Sequence, residues 1–520
     1  MSSFEFMCGC IKFKGEIQRG DVADFEFYGK SKQEPSPFEF PGNNAAGKRK
    51  YMNEAADPSW STGTIAAVST PYGTGGLGII RISGAEAFRI AGQIFNGRKA
   101  FHEMESHTVA HGRIVDPATG LMLDDVLIIK MNSPRTFTAE DVVEISCHGG
   151  IIVLKSVLSL IIRQGARTAE PGEFTKRAFL NGRLDLVQAE AVIDLINSKT
   201  SEGSQAAAAQ LEGKLSERIG KERRKLIELI AHIEAVVDYP EHDIEELTGG
   251  RVYEGVTAVK AELQRIAGGF NRGRLIREGI TAAIIGKPNA GKSSLLNMLA
   301  GSDRAIVTEI PGTTRDIIEE YINVGGMPVR FLDTAGIRDT LDPVESIGVE
   351  RAQKAALDAE LVIAVFDAKT GILPEDIVIL TSIRDKKKII IINKTDIAEE
   401  AGLEKMKKLL QTEAETPVLI ASMLDGTGVA RLLKEIEELF LKGTIGMNSE
   451  VLVTSVRHRQ LLDNAIGSLE AAEAAHVGGL PLDFVTIDIK EGAEYLGQIT
   501  GESVSEDVVK EIFARFCIGK

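Results

Sequence analysis

The sequence predicts a multidomain α/β and α protein, in which an α+β domain precedes a helical domain that is interrupted by a doubly wound α/β domain. Three observations predict this class. At 520 residues the chain is too long for one hydrophobic core, because domains stop growing at roughly 250–300 residues. Helical periodicity occurs in two separate blocks. The segment between these blocks alternates continuous apolar strands with helices.

Residues 1–60 differ in composition from the rest of the chain. They are rich in Phe, Gly, Pro and charge, and they show no sustained period. Pro35, Pro37 and Pro41 interrupt any regular element there. We therefore predict a disordered N-terminal extension, and the composition shift makes Met52 a second candidate for the start of translation.

An α+β domain is predicted over residues 61–181, where short apolar runs alternate with turns. The runs are 65–68, 78–82, 126–129 and 142–145 for strands and 152–162 for a helix. Apolar residues then recur at helical spacing in 182–278 and again within 444–520, at 458–475 and 505–516, which predicts one helical domain in two parts. Because domain termini often lie close together, the intervening segment 279–443 is predicted to be an inserted domain.

The inserted segment contains continuous apolar runs of the kind that form buried parallel strands. These runs are 282–285, 329–332, 361–366, 389–392 and 418–420. Helical segments separate several of them, so a doubly wound α/β domain is predicted.

A phosphate-binding loop is predicted between the first of these strands and the following helix. The residues Gly286-Lys287-Pro288-Asn289-Ala290-Gly291-Lys292-Ser293 match its pattern. Backbone N–H groups of such a loop surround the phosphates, and the helix N-terminus adds partial positive charge. Lys292 is predicted to reach the β- and γ-phosphates and Ser293 to ligate Mg²⁺. The predicted nucleotide contacts of this loop are Asn289, Ala290, Gly291, Lys292, Ser293 and Ser294.

Two further motifs identify the nucleotide. Asp333-Thr334-Ala335-Gly336 ends a predicted strand, where the carboxylate can hold the Mg²⁺ shell and the glycine N–H can contact the γ-phosphate. Asn393-Lys394-Thr395-Asp396 ends a later strand, and an aspartate there accepts hydrogen bonds from a guanine donor pair that adenine lacks. Ser422 is predicted as the last base-contacting residue. The order and spacing of the motifs predict a Ras-like P-loop GTPase domain with GTP as substrate.

A switch segment is predicted around Thr313 and Thr314, with Thr314 as the second protein ligand of Mg²⁺. Ras-like GTPases orient the attacking water with a Gln after the Asp-x-x-Gly motif. Here that position is Ile337, which cannot do so. The acidic candidates downstream are Asp339, Asp342, Glu345 and Glu350, and the residues alone leave the choice among them open.

Composition limits the partners and the compartment. The formal net charge of −15 argues against coating nucleic acid through bulk positive charge, although a local basic patch could still contact RNA. The four cysteines are too few and too scattered for a disulfide framework, which predicts a reducing, cytoplasmic setting. No apolar run approaches the ~20 residues that span a bilayer, so no membrane association is predicted.

Three blocks of the sequence resemble the MnmE (TrmE) family of bacterial tRNA modification GTPases. They are residues 70–84, residues 171–186 and the C-terminal Phe516-Cys517-Ile518-Gly519-Lys520. The resemblance runs from Thr62 to the C-terminus. It implies an N-terminal tetrahydrofolate-binding and dimerisation domain, a split helical domain and an inserted GTPase domain. It also implies a homodimer that forms a heterotetramer with a flavoprotein, MnmG (GidA), with FAD on that partner only.

The resemblance further implies an activity and its site residues. The family adds a carboxymethylaminomethyl or aminomethyl group to the wobble uridine of certain tRNAs, with 5-formyl- or methylene-tetrahydrofolate supplying the one-carbon unit. Its GTPase domains use K⁺ in place of an arginine finger. The positions that match the family's residues are Asn289, Thr308, Ile310 and Thr313 for K⁺, with Thr308 and Thr313 also near the nucleotide, Glu345 for catalysis, and Arg81, Glu144, Arg183 and Lys520 for folate.

Two alternatives stay open at this point. Cys517 is predicted from the residues to be a packed side chain, whereas its place in the family's C-terminal motif, close to the folate site, makes a role in the modification chemistry the alternative. The nucleotide motifs alone also fit a GTPase switch in ribosome assembly or signalling without group transfer. The three blocks favour group transfer, because a pure switch does not need them.

Overall fold

The structure is a computed structural model that describes residues 3–8, 11–16, 63–238, 245–301, 305–308, 319–332, 355–414, 416, 418–442 and 452–520. The chain divides into two compact units, Met1–Lys50 and Tyr51–Lys520. In this described part, no helix is both long enough and apolar enough to cross a lipid bilayer.

The first unit contains an antiparallel hairpin of β1 (Ser3–Cys8) and β2 (Ile11–Glu16). These two strands were not predicted, because the alternation of apolar and polar residues there extends over only a few positions. The disorder predicted for residues 1–60 otherwise concerns residues outside the described part, and it stays a prediction.

The second unit begins with an α+β arrangement, as the sequence predicts. Its elements are β3 (Ile65–Val68), β4 (Leu77–Ser83), α1 (Ala87–Ile94), β5 (Phe95–Gly97), β6 (Thr108–Val115), β7 (Met122–Met131), β8 (Val142–His148), α2 (Ile151–Arg163), β9 (Arg167–Thr168) and α3 (Glu173–Leu180). In the described residues the strands form one seven-stranded sheet in the order β5-β6-β7-β8-β4-β3-β9. Strand alternation buries Ile80 and Ile82 of β4 in the core with α1 and α2, which places Arg81 on the opposite face.

A block of helices follows the sheet. It comprises α4 (Leu186–Asn197), α5 (Ser201–Leu211), α6 (Lys214–Asp238), α7 (Glu245–Gly268) and α8 (Phe270–Glu278). On α6 the buried residues Leu215, Ile219, Leu226 and Ile233 recur at helical spacing. The burial of this single stripe explains why a sequence with many charged residues folds into long helices.

The inserted segment has the predicted doubly wound class. Its elements are β10 (Ile280–Ile285), α9 (Lys292–Ala300), β11 (Ala305–Thr308), β12 (Glu319–Val324), β13 (Met327–Phe331), β14 (Leu361–Asp367), α10 (Pro374–Ser382), β15 (Lys387–Asn393), α11 (Glu400–Ala414), β16 (Val418–Ile420) and α12 (Val429–Leu441). The sheet order in the described residues is β11-β12-β13-β10-β14-β15-β16. Strands β13, β10, β14, β15 and β16 pair in parallel, so their carboxyl ends, where ligands bind in such sheets, share one edge.

The chain then returns to the helical block with α13 (Val456–Val477), α14 (Leu482–Thr500) and α15 (Glu506–Ala514). Leu226 and Val259 of the first part share one core with Leu469 and Ile489 of the second part. The prediction that the two helical blocks pack together is therefore confirmed, although α14 itself was not predicted.

Candidate functional site

The loop between β10 and α9 has a backbone that only particular residues can adopt. Gly286 has φ 148° and Gly291 has φ 105°. A Cβ at Gly286 would lie 2.3 Å from the carbonyl oxygen of Val365, and one at Gly291 would lie 2.0 Å from Nδ2 of Asn393. Asn289, with φ 62°, is the third left-handed residue of the loop. Glycine is thus required where the loop meets β14 and the end of β15.

Lys292 directs its ammonium group back into this loop. Its Nζ donates hydrogen bonds to the carbonyl oxygens of Gly286 at 2.9 Å and Lys287 at 2.7 Å. Burial lowers the pKa of Lys292 below its usual value, since desolvation disfavours the charged form. A phosphate would be a stronger partner for this partly buried cation than neutral carbonyl groups are. The loop and its lysine therefore fit the nucleotide phosphates.

The loops after β15 and β16 are joined to the phosphate loop through Asn393. Its Nδ2 donates to the carbonyl oxygen of Ala290 at 2.8 Å, and its Oδ1 accepts from the backbone N–H of Met423 at 3.0 Å. Lys394 donates to a carboxylate oxygen of Asp367 at 2.7 Å. The buried side-chain amide of Asn393 thus connects the phosphate loop with the loops after β15 and β16 at one edge of the sheet.

Asp396 and Ser422 meet at this edge. The Ser422 hydroxyl donates to Oδ1 of Asp396 at 2.9 Å. The side chain of Asp396 therefore has a fixed orientation, with its second oxygen available to a base. A carboxylate that accepts two N–H groups suits guanine, whereas the same groups would stay unpaired against adenine.

Asp396→Asn is expected to weaken GTP binding by about 10²-fold or more, because two hydrogen bonds to a charged acceptor are lost. Equilibrium titration with a fluorescent GDP analogue measures this change. The matched control is Asp385→Asn, the same substitution at an exposed residue in the turn before β15 of the same domain, which should retain wild-type affinity. Equal losses in both variants would contradict the assignment of Asp396.

Most of the residues predicted for the switch segment, for K⁺ and for catalysis lie outside the described part of the chain. Thr308 ends β11. The others lie outside the described residues: Ile310, Thr313, Thr314, Asp333, Thr334, Ala335, Gly336 and Glu345. Their assignments to Mg²⁺, K⁺, the γ-phosphate and catalysis stay predictions, while Asn289, Ser293 and Ser294 are exposed on the phosphate loop.

The residues predicted to bind folate gather on the open face of the N-terminal sheet. Arg81 and Glu144 are paired across β4 and β8, and Nε of Arg81 donates to Oε1 of Glu144 at 2.8 Å. The guanidinium groups of Arg81 and Arg183 lie 5.3 and 5.2 Å from the centre of the Phe137 ring. Arg183 also donates to the Phe137 carbonyl oxygen at 3.1 Å, and burial lowers its pKa. Two cations thus lie over the Phe137 ring, and the Glu144 carboxylate is paired with one of them, Arg81, which also lies 5.6 Å from the centre of the Phe174 ring.

The C-terminus of the chain lies next to this cluster of charged residues. The backbone N–H of Phe174 donates to the carbonyl oxygen of Lys520 at 3.2 Å. A Cβ at Gly519, which has φ 92°, would lie 2.4 Å from the carbonyl oxygen of Val68, so the tail approaches β3 closely. Burial, followed by the charge of Arg81, lowers the pKa of Lys520. Its ammonium is therefore placed to gain from an anionic ligand.

Cys517 is exposed, so the structure does not show the packed side chain that the residues predicted. Its carbonyl oxygen accepts from the N–H of Gly172 at 3.3 Å, which ties it to the same tail. Phe137 was missed by sequence reasoning, because an isolated aromatic residue between two threonines carries no periodic signal. Phe174, by contrast, is fully buried core.

Comparison with known proteins gives matches over nearly the whole described chain. The profile described as "GTP-binding protein TrmE N-terminus" matches residues 64–183. The profile described as "MnmE helical domain" matches residues 186–517. Among solved structures, a variant of Aquifex aeolicus Era bound to GDP.AlF4− is 27% identical and matches 36% of this chain and 66% of its own, with a TM-score of 0.26.

Relatives named tRNA modification GTPase MnmE match over almost their full length. That of Acetivibrio thermocellus is 59% identical over 88% of this chain and 99% of its own. Those of Geobacillus kaustophilus and Alkaliphilus oremlandii are 45% and 44% identical, each over 88% of this chain and 99% of their own.

Proposed function

This chain belongs to the MnmE family, and on that basis we propose that it is a K⁺-dependent GTPase of tRNA modification. With a flavoprotein partner, MnmG, it adds a carboxymethylaminomethyl or aminomethyl group to the wobble uridine of certain tRNAs. A tetrahydrofolate supplies the one-carbon unit, and the flavin belongs to the partner. The reaction takes place in the cytoplasm.

The observation that carries the proposal is a cluster of charged side chains on the N-terminal sheet. It contains Arg81, Glu144 and Arg183 near Phe137, together with the C-terminal residue Lys520. Arg81, Arg183 and Lys520 supply positive charge for the carboxylates of a folate tail. Glu144 is an acceptor for the N–H groups of a pterin ring. A GTPase switch would not need such a site, so group transfer is favoured over the switch alternative.

The nucleotide half of the proposal rests on the phosphate loop and the base loops. Lys292 and the backbone of the loop would hold the phosphates, while Asp396 would select guanine. Ser293 and Thr314 are assigned to Mg²⁺, which supplies charge neutralisation at the phosphates when bound. Asn289, Thr308, Ile310 and Thr313 are assigned to K⁺.

The proposed homodimer is supported by the outer face of the N-terminal sheet. Val109 and Leu127 lie on the adjacent strands β6 and β7, and Leu77, which is 73% exposed, lies on β4, separated from β7 by β8. Apolar side chains grouped on an open sheet face are typical of an interface. The flavoprotein is proposed to bind this dimer in a heterotetramer.

The proposed activity is tested by incubating the protein with MnmG, an unmodified tRNA transcript, GTP, a tetrahydrofolate donor and FAD. Mass spectrometry of the digested tRNA then reports the mass of the wobble nucleoside. A modified uridine that requires both proteins and the folate supports the proposal. An unchanged nucleoside beside GTP hydrolysis at the normal rate would favour the switch alternative instead.

Arg81→Ala is expected to weaken binding of 5-formyl-tetrahydrofolate by about tenfold to a hundredfold, because a charge-assisted contact is lost and Glu144 loses its partner. Isothermal titration measures the affinity, and GTP hydrolysis should stay at the wild-type rate. Arg89→Ala, at an arginine of the same domain that pairs with exposed Glu86, is the matched control. Wild-type folate affinity in Arg81→Ala would contradict the assigned folate site.

A further inference from the structure

A polar contact joins the helical part of the chain to the turn between β12 and β13. Thr200, which caps α5, donates its hydroxyl hydrogen to the carbonyl oxygen of Gly326 at 2.9 Å. The same hydroxyl accepts from the backbone N–H of Gly203 at 3.0 Å. Thr200 is only 6% exposed, so water does not readily replace either hydrogen bond.

The turn and its strands make further contacts with the N-terminal end of α5. Gly326 has φ 90°, and a Cβ there would lie 2.8 Å from Cγ of Glu202, so the turn and α5 are in close contact. Asn323 accepts from the N–H of Gly326 at 2.9 Å and donates to Glu202 at 3.5 Å. The ammonium of Lys199 lies 5.4 Å from the centre of the Tyr321 ring.

Apolar packing also joins the helical part of the chain to the hairpin. Leu275 of α8 shares one core with Met327 and Val329 of β13. That packing is made by residues of the strand, whereas the Thr200 hydrogen bond is made at the turn itself. The polar contact therefore fixes the turn in addition to the apolar packing of β13.

The turn connects two strands that lie next to the predicted phosphate-contacting segments. β12 begins at Glu319, five residues after Thr314, and β13 ends at Phe331, two residues before Asp333. The strands are paired from Tyr321 opposite Arg330 to the turn, so they form one hairpin. The hairpin therefore connects the two segments that are assigned to Mg²⁺ and the γ-phosphate.

We infer that Thr200 is a positioning residue for GTP hydrolysis, which acts by holding Gly326 and thereby the hairpin between the two phosphate-sensing segments. The inference rests on the roles proposed for Thr314 and Asp333. A fixed hairpin lowers the conformational entropy that is lost when both segments order around GTP. The phosphate loop and the base loops lie on other strands, so binding of GDP does not depend on the contact.

Thr200→Val is expected to lower kcat for GTP by about threefold to tenfold, the effect of one buried hydrogen bond, with GDP affinity unchanged. Thr200→Ser keeps the hydroxyl and should restore the rate. Thr486→Val is the matched control, because Thr486 is equally buried at 6% and donates to the carbonyl oxygen of Leu482 at 2.9 Å within α14. That control should alter thermal stability without altering kcat.

Reciprocity supplies a readout that a purely structural role would not change. If hairpin position and bound nucleotide are coupled, the contact changes the affinity for a GTP analogue, and the bound analogue must change the stability of the contact by the same free energy. Hydrogen exchange at the N–H of Gly203, which is bonded to Thr200, should then differ between the GDP-bound and analogue-bound wild-type protein.

The inference is overturned if Thr200→Val hydrolyses GTP at the rate of Thr486→Val, or if its GDP affinity falls in parallel with kcat. Should Thr200→Val fail to fold, Glu202→Ala at an exposed position carries the same test, with a loss of about twofold to threefold expected. Thr314→Ala in the same assay distinguishes the metal role proposed for Thr314 from the positioning role inferred for Thr200. An unchanged kcat there contradicts the assigned metal role, whereas a lowered kcat beside an unaffected Thr200→Val contradicts the positioning role.

Discussion

Exchanging K⁺ for Na⁺ at equal ionic strength is expected to lower kcat for GTP by roughly 10²-fold or more, since an arginine finger, whose place K⁺ would take, is worth 10³–10⁵. The chain carries Ile337 where Ras-like GTPases carry the water-orienting Gln, and no arginine finger is evident from its sequence. Positive charge at the γ-phosphate must then have another source. Side-chain and carbonyl oxygens suit a hard monovalent cation, and Na⁺ is too small for a cage of K⁺ dimensions.

Asn289, one of the residues proposed to bind K⁺, lies in the described part of the chain, and its backbone conformation decides which variants test it. Because φ at Asn289 is 62°, Asn289→Ala combines loss of the amide with strain. Asn289→Gly removes the same amide in a conformation that glycine adopts freely. Steady-state GTP turnover in KCl and NaCl should show loss of the K⁺ stimulation in both variants.

Two outcomes would contradict the cation mechanism. Equal rates of GTP hydrolysis by the wild-type protein in KCl and NaCl would show that K⁺ has no specific role in hydrolysis. Loss of stimulation in Asn289→Ala but not in Asn289→Gly would assign the effect to backbone strain rather than to a ligand.

The parts of the fold that could be predicted are those in which burial follows a simple period. The run at 361–366 is fully buried on both sides of its sheet as β14, and β10 leads directly into the phosphate loop. Motif residues could be predicted because the phosphate and base loops have fixed local requirements. Gly291, for instance, must leave room for Asn393.

Helix α14, which was not predicted, owes its packing to small residues. Gly492 lies on the face toward α13, where a Cβ would be 3.3 Å from Leu469, and a Cβ at Gly497 would be 2.7 Å from Oγ of Ser503. Glycine normally weakens a helix by about 1 kcal/mol, so helix propensity alone does not favour this one. The close approach of the neighbouring helix outweighs that cost, and it cannot be read from one segment of sequence.

The same limit applies to the proposed folate site. Arg81 and Glu144 lie 63 positions apart and meet only through the register of β4 and β8. Lys520 joins them because the C-terminal tail docks beside Phe174. Without the family resemblance these residues would be ordinary surface charges in the sequence. These residues come together through the strand register and the docking of the C-terminal tail, and no local sequence motif encodes either.

Glu345→Gln is expected to lower kcat by roughly 10²–10⁴-fold, the usual contribution of a group that orients or activates a reacting water. The substitution keeps the size of the side chain and removes only the charge and the acceptor capacity of the carboxylate. Affinity for GTP and GDP should stay at the wild-type value, because Lys292 and Asp396 lie on other loops. Single-turnover hydrolysis, with fluorescent-nucleotide titration beside it, separates these two quantities.

The neighbouring acidic residues provide the matched controls for this substitution. Asp339→Asn, Asp342→Asn and Glu350→Gln make the same charge change within eleven residues of Glu345, and each should hydrolyse GTP at nearly the wild-type rate. If Glu350→Gln loses hydrolysis while Glu345→Gln retains it, the water-orienting role moves to Glu350 and the match to the family fails at this position. If all four variants lose hydrolysis equally, the effect is the charge of the segment rather than one carboxylate. Only a loss confined to Glu345 identifies a single group acting on the attacking water.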